Sequence, residues 1–194
     1  RFMRNRSKLR TIFVVILTFA IVAPAVLADA VATDTISMDI TVNPVAAIKV
    51  SGTALQFSVD APVAAGDLPV ITETANDPTY IQYTSVVPSA QTRTIAVQSD
   101  TAMPAGLKLN VRAGTPTGHG GLGTPVAGGI MIDSTYTAAT DQTLLTGITS
   151  CATGTGATQG AGIYYTLAID EATFANLTTD GAAGILITYT LVGP

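Results

Sequence analysis

His119 and Cys151 are the side chains best suited to nucleophilic catalysis, and the 194-residue chain contains one of each. A thiol activated by a neighbouring imidazole can attack a carbonyl group if the fold holds the two within hydrogen-bond reach. His119 lies in the segment Gly118-His119-Gly120-Gly121, however, and such a segment predicts an exposed, mobile loop, whereas catalytic groups need rigid support. A zinc site needs three or four nitrogen, sulfur or carboxylate ligands, more than one histidine and one cysteine supply. We therefore predict no catalytic residue, no metal site and no cofactor.

The acidic side chains are dispersed along the chain. Asp170 and Glu171 are adjacent, so on a strand they would point to opposite faces and could not flank one glycosidic bond. A calcium site built from loop carbonyls with Asp60, Asp67 or Asp77 stays open as an alternative, because calcium takes clustered oxygen ligands. The acids do not indicate an enzyme.

Tyrosines are the most plausible ligand contacts, since the chain has six tyrosines and no tryptophan. Tyr80, Tyr83 and Tyr164 are candidates for binding a ligand, a glycan among them, together with two glycine-rich loops at 114–129 and 153–162. Packing in the core or across neighbouring strands is the alternative use of each ring.

Charge is unevenly distributed along the sequence. Five of the nine basic residues lie in the first ten positions, before the first acid at Asp29. From Asp29 onward the chain has four basic and thirteen acidic residues, which gives a formal net charge of −9. This balance excludes nucleic acid as a partner held by phosphate neutralisation.

The first 28 residues have the order of a secretory signal peptide. A basic segment at 1–10 precedes an apolar segment at 12–22, and small residues follow Pro24, which places cleavage after Ala28 or Ala30. The alternative is a membrane anchor, but the apolar run at 12–27, with 16 residues, is shorter than the ~20 that a spanning helix needs. We expect a secreted, extracellular or cell-surface protein without membrane attachment after cleavage. In that setting Cys151 is interpreted as a small half-buried residue, with an intermolecular disulfide as the alternative.

The rest of the chain, 29–194, alternates apolar and polar residues with period two, which predicts strands that bury one face. Nine strands are predicted, at 36–43, 55–60, 79–87, 92–98, 107–112, 129–132, 143–148, 163–169 and 185–191. Proline and glycine separate them at short intervals. We therefore predict an all-β fold, a single antiparallel Ig-like β-sandwich preceded by the signal-peptide helix.

The first of these strands is amphipathic, with one apolar and one polar face, and it lies near the N-terminus of the mature chain. Its apolar face consists of Ile36, Met38, Ile40 and Val42. Such a strand can pair within its own sheet, or it can be donated to the open sheet edge of a neighbouring subunit. Donation from head to tail joins subunits into filaments.

The sequence Ile40-Thr41-Val42-Asn43-Pro44-Val45 after an export leader, together with the closing strand at 185–191, resembles the first and last strands of α-fimbrial (CS1-like) major pilin subunits. The stretch at 105–111 is compatible with a middle strand of that family. The resemblance implies an Ig-like pilin domain whose N-terminal strand complements the next subunit. We expect a fimbria-like structural subunit that associates with itself or with related subunits. The alternative is an extracellular β-sandwich module that binds a glycan or another ligand.

Overall fold

The computed structural model describes residues 36–52, 55–76, 79–179 and 184–194. The chain divides into two units, Arg1–Thr41 and Val42–Pro194. Within the first unit, the described residues 36–41 form neither helix nor strand. The predicted signal peptide at 1–28, its helix and its cleavage sites lie outside the described residues.

The second unit is all-β, as predicted, and its strands pair antiparallel. The described residues contain one short 3₁₀ helix, Phe174–Asn176, and eleven strands. The strands are β1 Val45–Ser51, β2 Leu55–Asp60, β3 Val70–Asn76, β4 Thr79–Val86, β5 Arg93–Ser99, β6 Leu107–Ala113, β7 His119–Pro125, β8 Ile130–Ile132, β9 Gln142–Ala152, β10 Ala161–Ile169 and β11 Ile187–Val192.

Nine strands form one sheet in the order β11-β5-β9-β4-β10-β6-β8, with β1 along β4 and β7 along β9. Strand β4 is the branch point, because its first residues pair with β10 whereas Thr84 and Ser85 pair with β9. Strand β1 pairs with β4 over its whole length. Strands β2 and β3 form a separate two-stranded sheet.

The core is built from alternate residues of these strands, as the period-two pattern requires. Apolar side chains with no solvent exposure come from β4, β5, β6, β8, β9 and β10, namely Ile81, Ile95, Val111, Ile132, Leu144, Leu145, Ile148 and Ala161. Leu144 and Leu145 are consecutive yet both buried. The register of β9 against β5 shifts at this point, and such a bulge re-aims a side chain.

The predicted strand at 36–43 is not formed, and the first strand begins at Val45. The other eight predicted strands are present, the one at 55–60 with the predicted ends and the other seven with shifted ends. Three strands were not predicted: β1, β3 and β7. Strand β7 lies inside the segment that we predicted to be a loop at 114–129, where the glycines have a structural purpose. A Cβ atom at Gly123 would lie 2.6 Å from the carbonyl oxygen of Thr146 on β9, so glycine allows the two backbones to approach closely.

Candidate functional site

His119 and Cys151 do not form a catalytic pair. His119 is exposed at the start of β7, opposite Ala152, whereas Cys151 lies opposite the next residue, Gly120. Because successive residues of a strand point to opposite faces, the imidazole and the thiol lie on opposite sides of the sheet. Burial raises the pKa of the Cys151 thiol, which keeps it neutral at ordinary pH.

Acidic side chains do not cluster in the described part of the chain either. No group of three or more histidine, cysteine, aspartate or glutamate side chains is placed to hold a metal there. Asp60 accepts a hydrogen bond from the hydroxyl of Ser58 at 2.9 Å. Asp77, one of the three carboxylates considered for calcium, lies outside the described residues.

The three candidate tyrosines separate into two environments. Tyr83 faces the core with 2% of its surface exposed, and its hydroxyl donates a hydrogen bond to the carbonyl oxygen of Leu122. Burial raises the pKa of Tyr83. This placement removes Tyr83 from the surface contacts that the sequence suggested, because an odd-numbered residue of β4 points inward. Tyr80 lies on the opposite face of β4, and Tyr164 is 55% exposed on the same face of β10.

A second feature of this unit is an open cavity of about 910 Å³, which we call the apolar groove. Its walls come from β2, β6, β10, the 3₁₀ helix and the start of β11. The main lining side chains are Leu55, Phe57, Leu107, Leu109, Tyr165, Leu167, Phe174, Leu177, Ile185 and Ile187. The volume lies in the upper part of the range of about 300–1,000 Å³ that is usual for binding clefts.

The groove is where the core stays open to solvent. Along the inward face of β10, Ile163 is buried, but Tyr165, Leu167 and Ile169 are only half-buried. The inward side chains of β11 are likewise half-buried. The same face of the sheet therefore passes from a closed core to an open apolar wall.

One polar pair crosses the open part of the core. The hydroxyl groups of Tyr165 and Tyr189 lie 2.6 Å apart and share a hydrogen bond. Burial raises the pKa of both tyrosines, so both phenols remain neutral in the folded protein near neutral pH. This bond ties β10 to β11 across the interior.

Strand β11 forms one end of the sheet and, among the described strands, pairs only with β5. The amide of Asp100 donates to the carbonyl oxygen of Leu186, which places Leu186 and every second residue after it in hydrogen bonds toward β5. In an antiparallel ladder the intervening residues turn their backbone groups to the other side. The N–H and C=O groups of Ile187, Tyr189 and Leu191 therefore face the unpaired edge.

The candidate donor residues occupy an extended segment without secondary structure. Ile36, Met38, Ile40 and Val42 are 92%, 77%, 76% and 72% exposed. Large apolar side chains exposed together form the kind of surface that marks an interaction site. The described residues thus contain an alternating apolar segment, and separately an apolar groove with an unpaired strand edge at its rim.

Local sequence could not reveal the groove, because its lining comes from separate segments that lie between Leu55 and Ile187 in the chain. The described residues contain no helix that is long and apolar enough to cross a membrane. Comparison of the chain with protein-family models, curated proteins and solved structures finds no match.

Proposed function

We propose that this protein is an exported, fimbria-like structural subunit that assembles by strand donation. In this proposal residues 36–42 of one copy insert into the apolar groove of the next copy and pair with the free edge of β11. The Val42–Pro194 unit then acts as an Ig-like β-sandwich that lacks one strand. The observation that carries the proposal is the open groove along an unpaired strand edge.

The dimensions and chemistry of the two surfaces support this pairing. Seven extended residues span about 20 Å, and their alternate side chains point to one face at intervals of about 7 Å. Burying an aliphatic side chain stabilises an association by about 1.5–3 kcal/mol before the entropic cost of binding is subtracted. Four exposed apolar side chains can therefore offset the cost of ordering the segment. Backbone hydrogen bonds to β11 would add to this, since strand addition satisfies groups that are otherwise left to water.

The composition of the chain supports a second copy of the same protein as the molecule that fills the apolar groove. From Asp29 onward there are only 17 charged residues, fewer than soluble surfaces usually carry to prevent association. A contact between a segment of one copy and a groove of another uses two different surfaces. Such a contact does not close on itself, so it propagates into a filament.

The test uses three variants of the protein. Deletion of residues 29–43 removes the donor and should give monomers with an empty groove. Leu167→Glu places a charge in the groove and should also prevent assembly, while its donor segment stays intact. Ile40→Asp should abolish assembly, whereas Thr41→Asp, which places the same charge on the other face of the segment, should assemble.

Mixing provides the decisive measurement. The deletion variant supplies a groove and the Leu167→Glu variant supplies a donor, so together they should form heterodimers that do not grow further. Sedimentation velocity distinguishes these species from monomers and filaments. Normal filaments of the deletion variant, or equal effects of Ile40→Asp and Thr41→Asp, would contradict strand donation. A wild-type protein that remains monomeric at every concentration would show that the groove is not filled by a second copy.

A further inference from the structure

The outward face of β6 and β10 carries a shallow depression that is unrelated to the apolar groove. Its volume is about 400 Å³, and its rim includes Lys108, Asn110 and Arg112 on β6 and Tyr164 on β10. Arg112 lies directly opposite Tyr164 in the register of the two strands. The small side chains at Thr166 and Ala168, which face Asn110 and Lys108, leave the depression open.

The charge of this face is opposite to that of the chain as a whole. Two of the four basic residues after Asp29 lie here, and none of the residues that line the depression is acidic. Lys108 and Arg112 are four residues apart on one strand, which separates their attachment points by about 13 Å. Since the sequence from Asp29 onward has thirteen acidic and only four basic residues, two cations on one face without an acidic side chain in the lining favour a ligand with separated negative charges.

Tyr164 is held on this face by its neighbours. The guanidinium carbon of Arg112 lies 5.4 Å from the centre of the Tyr164 ring, in cation–π contact. A Cβ atom at Gly114 would lie 3.1 Å from the ring, so glycine provides the space in which the ring rests. A Cβ at Gly162 would lie 3.4 Å from the Tyr80 ring and 3.7 Å from the Tyr164 hydroxyl, which places the two tyrosines on either side of this glycine. The result is an ordered aromatic surface beside a cation.

Hydrogen-bonding groups complete the depression. The side-chain amide of Asn110 donates to the carbonyl oxygen of Gly128 at 3.0 Å, which orients the side chain and leaves its oxygen as an acceptor. Thr166 adds an exposed hydroxyl. Aromatic, amide, hydroxyl and cationic groups therefore lie within two neighbouring strands.

This combination favours a sugar over a peptide. Strand β6 pairs with β10 on one side and with β8 on the other, so an acidic peptide would find no free backbone edge at the centre of this face. A sugar ring offers an apolar face for the tyrosine and hydroxyls for Asn110 and Thr166. A carboxylate on the sugar matches the planar fork of donors on Arg112.

We infer that the outward face of β6 and β10 is a binding site for a carboxylate-bearing glycan, with Arg112 and Lys108 contacting acid groups and Tyr164 contacting a sugar ring. This site is independent of assembly, because it lies on the face opposite to the apolar groove. It would give a structural subunit the means to attach to an acidic polysaccharide.

The test measures binding of the purified protein to hyaluronan octasaccharide, tetragalacturonate and sialyllactose by calorimetry. Each probe is paired with its counterpart in which the carboxylates are reduced to alcohols. At least one acidic probe should bind saturably, and the reduced counterpart should bind at least about tenfold more weakly, as expected when charge-assisted hydrogen bonds are lost. Absence of saturable binding by all three acidic probes, or equal binding of the reduced forms, would overturn the inference.

Variants locate the site. Arg112→Ala and Lys108→Ala should each weaken binding of the acidic probe that the wild-type protein binds. Arg112→Lys should retain only part of the wild-type affinity, because an ammonium lacks the planar fork. Lys49→Ala on β1 is the matched control, since it removes the same charge three strands away from β6 and should leave binding unchanged. Equal loss in the Lys49→Ala control, or equal binding of polyglutamate or of single-stranded DNA, would mean that only net charge is recognised and would overturn the glycan assignment. Unchanged melting temperatures of the variants ensure that binding, not folding, is measured.

Discussion

The core of the second unit has a closed end and an open end that are made from the same kinds of residue. At the closed end, Ile95, Leu145 and Ile148 have no solvent exposure. At the open end, Leu167, Ile187 and Leu191 also face inward but are half-buried. The difference comes from what covers each side chain and not from its chemistry. The closed end is covered within one chain, whereas the side chains of the open end stay partly exposed to solvent.

The largest difference between the two ends should appear in stability. Leu145→Ala should lower the free energy of unfolding by about 2–5 kcal/mol, because it leaves a cavity in a tightly packed region. Leu167→Ala should cost clearly less in the monomer, because water already reaches the groove and no closed cavity forms. Urea unfolding of the two variants at low protein concentration measures this contrast. Equal losses would show that the groove is packed as tightly as the rest of the core.

A peptide of residues 36–43 should stabilise the open end selectively. Added to the variant that lacks residues 29–43, at a hundred times its dissociation constant, it should raise the free energy of unfolding by about 2.7 kcal/mol. Hydrogen exchange should slow at the amides of Ile187, Tyr189 and Leu191, with little local change at the centre of β9. A control peptide with Ile40→Asp should do neither. Protection that is uniform across the sheet would contradict insertion beside β11.

Alkaline pH should loosen the open end through its two buried phenols. The pKa values of Tyr165 and Tyr189 are raised in the folded protein because burial disfavours the phenolate. Below the unfolded pKa of about 10 the two states bind the same protons, and above it the unfolded state loses protons first. Stability should therefore fall as pH rises above about 10, by as much as about 1.4 kcal/mol per pH unit for each tyrosine that stays protonated in the folded state.

The variant Tyr189→Phe provides the comparison for this pH dependence. It removes one titrating group, so the decline in stability above pH 10 should become shallower in denaturant titrations. An unchanged slope would show that Tyr189 ionises equally in both states.

The smallest effect is expected at the thiol of the closed end. Cys151 is 8% exposed between Ser85 on β4 and Gly120 on β7, so the folded protein should react slowly with thiol reagents and should show no disulfide-linked dimer on non-reducing gels. Cys151→Ala should cost about 1 kcal/mol, as expected for the loss of a small buried group. A covalent dimer under native conditions would support the intermolecular disulfide instead.

Strands with strong apolar–polar alternation were predicted from the sequence. Strands were not predicted where the burial of their side chains depends on the position of the strand in the fold. Strand β1 was not predicted because most of its side chains are exposed, with Ile48 and Ser51 as the half-buried exceptions. Strand β7 was not predicted because glycines are typical of loops. In this strand the glycines instead allow the backbone of β7 to approach that of β9 closely. At 36–43 the alternation was correctly recognised, but a strand also needs a partner, and the sequence pattern carries no information about whether one is present.

The candidate ligand contacts also divide into what the residue type predicts and what the position on the strand decides. The sequence singled out Tyr80, Tyr83 and Tyr164 by residue type, but only the position of each on its strand separated the buried Tyr83 from the half-buried Tyr80 and the exposed Tyr164. Arg112 and Lys108 gave no sequence signal as ligand contacts, since a charged residue on an alternating strand is expected to face solvent.

The amino-acid sequence by itself determined that the described part of the chain is all-β and which side chains of its recognised strands share a face, because both follow from a period of two residues that is local to each strand. The tertiary structure alone decided which apolar faces are closed and which remain open. Closure depends on which distant strands meet, as at the groove between β2, β6, β10 and β11, and no local pattern encodes those pairings.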